Sequence, residues 1–251
     1  MEERITSKQN TTLQHIRRLL SSRAYRNECR EFAADGIKLL QEAIKWKFDV
    51  KTVILSEDVS ISGLPEKIRV LRVSSELMKY VSNMQSPQGA LFVCGYPETD
   101  ESVLSPGTLI LDEIQDPGNV GTILRTADAM NVPVVLCGGC ADPFNEKTVR
   151  ASMGAIFRTR LCFSTTEAVI DRCKTQHIPL AVTALHAESK DIRQAELRKC
   201  AVVIGSEGHG VSAAFLDNAD VRLVIPMSAR CESLNVAAAA AILLWQMQKN
   251  D

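Results

Sequence analysis

Residues 221–247 read VRLVIPMSARCESLNVAAAAAILLWQM, and this stretch decides the fold. Residues 223–225 form a short apolar strand that Pro226 ends. A polar loop runs from Met227 to Glu232. The Ser233-Leu234-Asn235 segment then opens a helix, with Ser233 as the expected N-cap. Five consecutive alanines, Ala237 to Ala241, favour helix and carry almost no side-chain bulk. Other backbone can therefore approach this helix closely. By periodicity alone the stretch reads equally well as a buried C-terminal helix. The polar loop before it gives it a further meaning, because two similar loops precede it in the chain.

Working outward, strand-length apolar runs recur at residues 109–111, 132–136, 160–163, 180–183 and 202–204. Helical segments separate them, as at 120–130, 167–176 and 213–218. Strands alternating with helices predict a parallel sheet covered on both faces. Ligands of such sheets sit at the carboxyl ends of the strands.

The unusual residues follow those strands. After 109–111 comes Asp116-Pro117-Gly118, a turn, then Asn119 at a helix start, where it is a candidate cap. Arg125 lies six residues on, among Ile123, Leu124 and Ala127. Phosphate suits its guanidinium fork; a salt bridge to Asp112 or Asp128 is the alternative. After 202–204 comes Gly205-Ser-Glu207-Gly208-His-Gly210, which lets backbone approach a ligand and presents Glu207 as an exposed carboxylate. Otherwise it is a turn into a helix capped by Ser212. It matches neither GxGxxG nor the P-loop, which argues against a nicotinamide dehydrogenase or an ATP-binding protein. No catalytic triad, metal cluster or useful carboxylate pair is evident. His15, His177, His186 and His209 stand isolated and read as structural or exposed.

The first hundred residues form a separate small α/β unit. A helix is expected at 36–47, strands at 52–55, 70–73 and 90–94, and a helix at 75–81. The polar segment 96–107 holds two prolines and marks the domain boundary. Residues 1–30 are helical and basic, with seven cations against three carboxylates, a local net of +4. This is either a solvated helix face or a phosphate-contacting surface. The whole chain of 251 residues has a net charge of −1, so it has no bulk attraction to nucleic acid or membrane. It has no signal core and no bilayer-length apolar run, and reads as cytoplasmic. Its eight cysteines include one CxxC, Cys137 and Cys140, with no second pair at zinc-site spacing. No metal is expected, and most of the thiols read as buried and reduced.

Together the loops resemble the three motifs of the SpoU (TrmH-like) family of RNA 2′-O-ribose methyltransferases, in the SPOUT superfamily. The first is Asn119-Val-Gly-Thr-Ile-Leu-Arg125. The second is Ile204-Gly-Ser-Glu207-Gly-His-Gly210. The third runs from Ile225-Pro-Met227 to Glu232-Ser-Leu-Asn235-Val-Ala, and Arg150-Ala-Ser152-Met-Gly154-Ala is also similar to the family. One departure is Ala229, where the family often carries glycine.

The resemblance implies a parallel-sheet methyltransferase domain with a C-terminal trefoil knot over 106–251, preceded by a small L30e-like α/β RNA substrate-binding domain over 1–100. Knots are rare among folds, and nothing in the periodicity suggests one. The resemblance further implies a homodimer formed through the C-terminal domain. S-adenosylmethionine is the implied cofactor, held by Thr183, Ala184, Leu185, Gly205, Glu207, Gly210, Ile225, Met227, Ser233 and Leu234. Asn119, Arg125, Glu207, Ser233 and Asn235 are the implied reacting centre. Arginine stays protonated in ordinary environments, so a phosphate-contacting and orienting role suits Arg125 better than that of a base. Arg17, Arg18, Arg23, Arg26 and Arg125 are the implied RNA contacts. The expected substrate is 23S ribosomal RNA, with transfer RNA, or a non-catalytic RNA-binding role on the same fold, as alternatives.

Overall fold

The computed structural model describes residues 3–98, 100–185, 188–228 and 230–249. His186 and Ala229 lie outside the described residues. In chain order the elements are β1 (Glu3–Ile5), α1 (Thr11–Ser21), α2 (Arg23–Cys29), β2 (Glu31–Asp35), α3 (Ile37–Lys45), β3 (Val50–Ser56), β4 (Arg69–Val73), α4 (Ser75–Val81) and β5 (Ala90–Gly95). There follow β6 (Leu109–Asp112), α5 (Pro117–Ala129), β7 (Val134–Cys137), α6 (Glu146–Ala151), β8 (Leu161–Ser164), α7 (Thr166–Thr175) and β9 (Leu180–Thr183). The last are β10 (Lys190–Asp191), β11 (Ala201–Gly205), α8 (Ala213–Asp217), β12 (Val221–Val224) and α9 (Val236–Met247).

These elements form two compact units. The first comprises Met1–Glu98 together with Asp142–Phe157, and the second the remainder. The excursion 142–157 departs from the expectation of one unbroken domain over 106–251. Aromatic packing and an ion pair explain it. Phe32 of β2 stacks on Phe144, with ring centroids 4.9 Å apart, and also meets Phe157. Arg26 donates to Asp142 through Nε at 2.8 Å and Nη2 at 2.6 Å.

The sheet of the first unit has the order β1-β4-β3-β5-β2. β1, β4 and β3 are parallel, and β5 runs antiparallel to β3 and β2. Strands β1 and β2 have no counterpart among the expected elements. β1 is only three residues long, and β2 follows a basic helical segment with no turn signal except the left-handed Arg30, at φ 52°. Helix α1 buries Leu13, Ile16, Leu19 and Leu20 against Ile54, Leu71 and Leu91 of the sheet. Burying a side chain of this kind stabilises the fold by about 1.5–3 kcal/mol.

The second sheet has the order β10-β12-β9-β11-β6-β7-β8, and every pairing in it is parallel. From β6 the chain builds outward through β7 and β8. It then crosses to β9 on the other side of β6 and leaves a slot that β11 fills. Strands β6, β7, β9 and β11 are largely apolar and buried because both faces of the sheet are covered there, whereas β12 carries Arg222 and is only partly buried. Helix α9 returns to pack against α5. Ala240, Leu243, Leu244 and Met247 of α9 are buried.

Candidate active site

The turn after β11 has one workable conformation. A Cβ on Gly205 would lie 2.2 Å from the carbonyl carbon and oxygen of Gly210, so only glycine fits there. Gly210 N donates to Ser206 O at 2.9 Å, and Gly210 adopts φ +71°, which favours glycine. The turn projects Glu207 as an exposed carboxylate.

Three donors meet one oxygen of that carboxylate. Glu207 Oε1 accepts from Asn235 Nδ2 at 2.8 Å, from Val236 N at 3.0 Å and from Asn119 Nδ2 at 3.2 Å. Asn235 Nδ2 also lies 3.2 Å from Asn119 Oδ1. Asn119 follows β6, Glu207 follows β11 and Asn235 follows β12, so the carboxylate ties together loops from three strands.

Two capping assignments change, and the reason is geometric. Helix α9 is capped by Asn235, not Ser233, and its Oδ1 accepts from Ala237 N and Ala238 N. Helix α5 is capped by Asp116, whose Oδ1 accepts from Asn119 N at 2.9 Å. Asn119 is therefore relieved of capping, and its amide is available to Glu207. Ser212 holds the N-cap position of α8 without a side-chain capping bond.

A cavity of about 420 Å³ opens beside these groups at the carboxyl ends of β9, β11 and β12. Small-molecule sites occupy roughly 300–1,000 Å³. Thr183, Ala184 and Leu185 line it from β9 and the segment after it. Gly205, Glu207 and Gly210 line it from the turn, and Ile225, Met227, Ser233 and Leu234 from the loop before α9. All ten residues expected around the cofactor therefore face one space. A Cβ on Gly208 would meet no protein atom, so the turn stands open toward the cavity there. Apolar walls beside open backbone suit an adenosyl group carrying an amino-acid tail.

Arg125 stands apart. It is exposed on α5 and does not line the cavity. Neither expected salt bridge holds it. Asp128 Oδ2 is engaged by Arg158 Nε at 2.8 Å, and Asp112 Oδ2 accepts from Ser212 N at 2.7 Å. The sequence offered Asp112 only as a salt-bridge partner for Arg125, and its actual role was not foreseen. It is 1% exposed, and its link to Ser212 joins the end of β6 to the end of the glycine turn. Its one signal was an acid closing the apolar run Leu109-Ile-Leu.

The expected RNA contacts divide as well. Arg17 and Arg18 are exposed and lie over the rings of Tyr80 and Tyr25, with centroids 4.2 Å and 3.7 Å away. Arg23 is exposed. Arg26 is a correction: it is 2% exposed and sealed by Asp142 and by Leu19 O, so no phosphate reaches it. His15 is structural, bridging Tyr25 and Glu31, and His209 lines the cavity. Burial pushes the Cys140 thiol up to about 11 and Cys137 higher still, which suits buried thiols rather than nucleophiles. Among the described residues no group of three or more His, Cys, Asp or Glu is arranged to hold a metal. Among them, too, no helix is long and apolar enough to cross a membrane.

A parallel sheet gathers three strand-end loops around one cavity, the arrangement that the resemblance to the SPOUT methyltransferases implies. Comparison with known proteins agrees. Residues 106–245 match the SpoU rRNA Methylase family, and residues 10–91 match the MRM3-like substrate binding domain. The 23S rRNA (guanosine(2553)-2′-O)-methyltransferase RlmP of Bacillus subtilis is 34% identical over 91% of this chain and 93% of its own. Mouse rRNA methyltransferase 3, mitochondrial, is 29% identical over 93% of this chain and 71% of its own. The AdoMet-bound rRNA methyltransferase of Sinorhizobium meliloti superposes with a TM-score of 0.84 at 29% identity, covering 98% of this chain and 97% of that one. The chain belongs to the SpoU rRNA methylase family. It is an RNA methyltransferase, and S-adenosylmethionine is its cofactor.

Proposed function

We propose that this chain methylates a ribose 2′-hydroxyl of 23S ribosomal RNA. The meeting of Asn119 and Asn235 on Glu207, at the mouth of the 420 Å³ cavity, carries this reading. S-adenosylmethionine supplies an already activated methyl on a sulfonium, so the chain's own work is alignment and proton management. Leu185, Ile225, Met227 and Leu234 cover the donor's apolar surface, and backbone groups of residues 205–210 orient it. Glu207 holds the three loops in register, and Ser233 and Asn235 border the position of the acceptor oxygen. Arg125 clamps the phosphate of the target nucleotide and so fixes the ribose. Arg17, Arg18 and Arg23 grip RNA through phosphate, as folded RNA is largely gripped.

Arg125 reaches a reacting centre if two copies pair through α5 and α9. The exposed apolar residues Trp245, at 70%, and Ile242, at 39%, support such a pairing. Insertion of β11 between β9 and β6, with the alanine-rich α9 returning to α5, is the pattern we read as the trefoil knot. The same reading places the protein in the cytoplasm with its RNA.

The test is incubation with tritiated S-adenosylmethionine and total RNA from cells lacking this chain, followed by size fractionation and alkaline hydrolysis. Label in alkali-resistant dinucleotides from 23S RNA is expected. Label in transfer RNA would move the substrate, and absence of label from all RNA would refute the proposal.

A further inference from the structure

Within the first unit, Leu13, Ile16 and Leu20 of α1 share one core with Leu77, Met78 and Val81 of α4. Tyr80, in the last turn of α4, is half-buried and packs against that core. Its hydroxyl accepts from Gln14 Nε2 at 3.1 Å and from Arg17 Nη1 at 2.5 Å. Gln14 Nε2 also donates to Lys8 O at 2.6 Å. The ring is therefore held at both ends, its body by apolar side chains and its tip by α1.

Two cations lie over this ring. Arg17 Cζ is 4.2 Å from the centroid and Lys8 Nζ is 5.2 Å from it. Other exposed cations of the unit meet carboxylates, Arg4 with Glu57, Lys51 with Glu31 and Arg69 with Glu3. Among the described residues Lys8 and Arg17 have no carboxylate partner, and both are exposed. The apolar side chains already join α1 to α4, so a fixed ring under two cations is more than that seam requires.

The ligand that fits a fixed aromatic ring between two such cations is an unpaired nucleotide. Unstacked RNA bases stack on tyrosine rings and guanidinium planes, whereas bases inside a duplex are out of reach. An exposed cation–π contact is weaker than a base stacked on an aromatic side chain. A base can thus take a cation's place on the ring and release that cation to a flanking phosphate. A ring already fixed in place loses little side-chain freedom on binding.

We propose that Tyr80, with Arg17 and Lys8, is a stacking site for an unpaired nucleotide of the substrate RNA. The inference rests on the RNA reading above and adds what the first unit recognises, an unstacked base between phosphates.

The test is fluorescence anisotropy with the full chain across a potassium chloride series, using a labelled single-stranded RNA 20-mer and the duplex of the same sequence. It compares the wild type with Tyr80→Leu, Tyr80→Phe and Lys8→Gln/Arg17→Gln. Tyr80→Leu is expected to weaken binding of the single strand about tenfold, with the log–log salt slope and the duplex affinity unchanged. Tyr80→Phe keeps the ring and binds the single strand within about twofold of wild type. The Lys8→Gln/Arg17→Gln pair lowers the salt slope by about 1–2. Affinity for S-adenosylmethionine stays at the wild-type value in all three. If the wild type binds the single strand and Tyr80→Leu binds it equally, the stacking site is refuted while the RNA reading stands. Equal weakening of strand and duplex by Tyr80→Leu, or a Tyr80→Phe variant as weak as Tyr80→Leu, also refutes stacking. An unchanged slope in the Lys8→Gln/Arg17→Gln pair refutes the phosphate contacts. A wild type that binds no RNA overturns both the site and the RNA reading.

Discussion

Replacing Glu207 with glutamine keeps the shape of the side chain and removes its charge. In the wild type one carboxylate oxygen accepts three hydrogen bonds, from Asn235, Val236 and Asn119. A hydrogen bond to a charged group is worth roughly 1.5–3 kcal/mol and a neutral one about 0.5–1.5, so each bond loses about 1 kcal/mol. The gross loss of ~3 kcal/mol is reduced by solvent because Glu207 is exposed. About 1–2 kcal/mol remains, a factor of roughly 5–30. That energy holds the three loops together around the cavity. Its loss lowers the fraction of molecules in the binding-competent arrangement, and the apparent Kd rises in proportion. Calorimetric titration with S-adenosylmethionine is therefore expected to show Kd raised about 5–30-fold. The urea midpoint of the sheet should move little, because the turn is peripheral to the core. A double-mutant cycle with Asn119→Ala should return a coupling above ~0.5 kcal/mol. A glutamine variant that binds the cofactor within twofold of wild type, with no coupling to Asn119, would show that Glu207 does not organise the site.

The remaining predictions concern other parts of the chain. Arg125→Ala is expected to reduce turnover at least a hundredfold, about 2.7 kcal/mol, while the Kd for S-adenosylmethionine stays unchanged; persistent turnover would remove Arg125 from the reaction. Arg26→Ala leaves Asp142 buried and uncompensated, and urea denaturation is expected to show a loss of about 3–5 kcal/mol in the first unit. Burial raises the pKa of Asp35, with hydrogen bonds from Ser82 and Gln88 opposing the shift. The folded state thus holds this proton more tightly than the unfolded state, and its contribution to stability is lost as pH rises from about 4. Asp35→Asn should flatten that part of the stability–pH curve; an unchanged slope would contradict the assignment. For the proposed pairing, sedimentation equilibrium is expected to give a dimer for the wild type and a monomer for Trp245→Glu; a monomeric wild type would refute the pairing, and a dimeric variant would move the partner surface elsewhere.

Local chemistry was enough to read the α/β layout of this protein from its sequence, and the resemblance of its loops to a known family supplied the chemistry. The apolar runs of β6, β7, β9 and β11 stand out because both faces of a parallel sheet are buried there. The glycine turn was legible as a place where backbone approaches a ligand, but it was the resemblance to the SpoU motifs that singled out Asn119, Glu207 and Asn235 together. Helix α4 begins and ends at the expected residues, since Ser74 caps it and accepts from Leu77 N. What the sequence left open depends on contacts between residues far apart in the chain. Asn119 and Asn235 are 116 positions apart, and only the closed sheet brings them to one carboxylate oxygen and shows which residue caps and which bridges. Arg26 looked like any cation of a basic helix until Asp142, also 116 positions away, buried it. The excursion 142–157 joined the first unit because aromatic stacking and that ion pair act through space, which periodicity along the chain does not record. Apolar spacing determined most of the elements and the motif resemblance the chemistry of the loops, while tertiary packing decided which side chains meet, because a partner's distance in sequence carries no information about its distance in the fold.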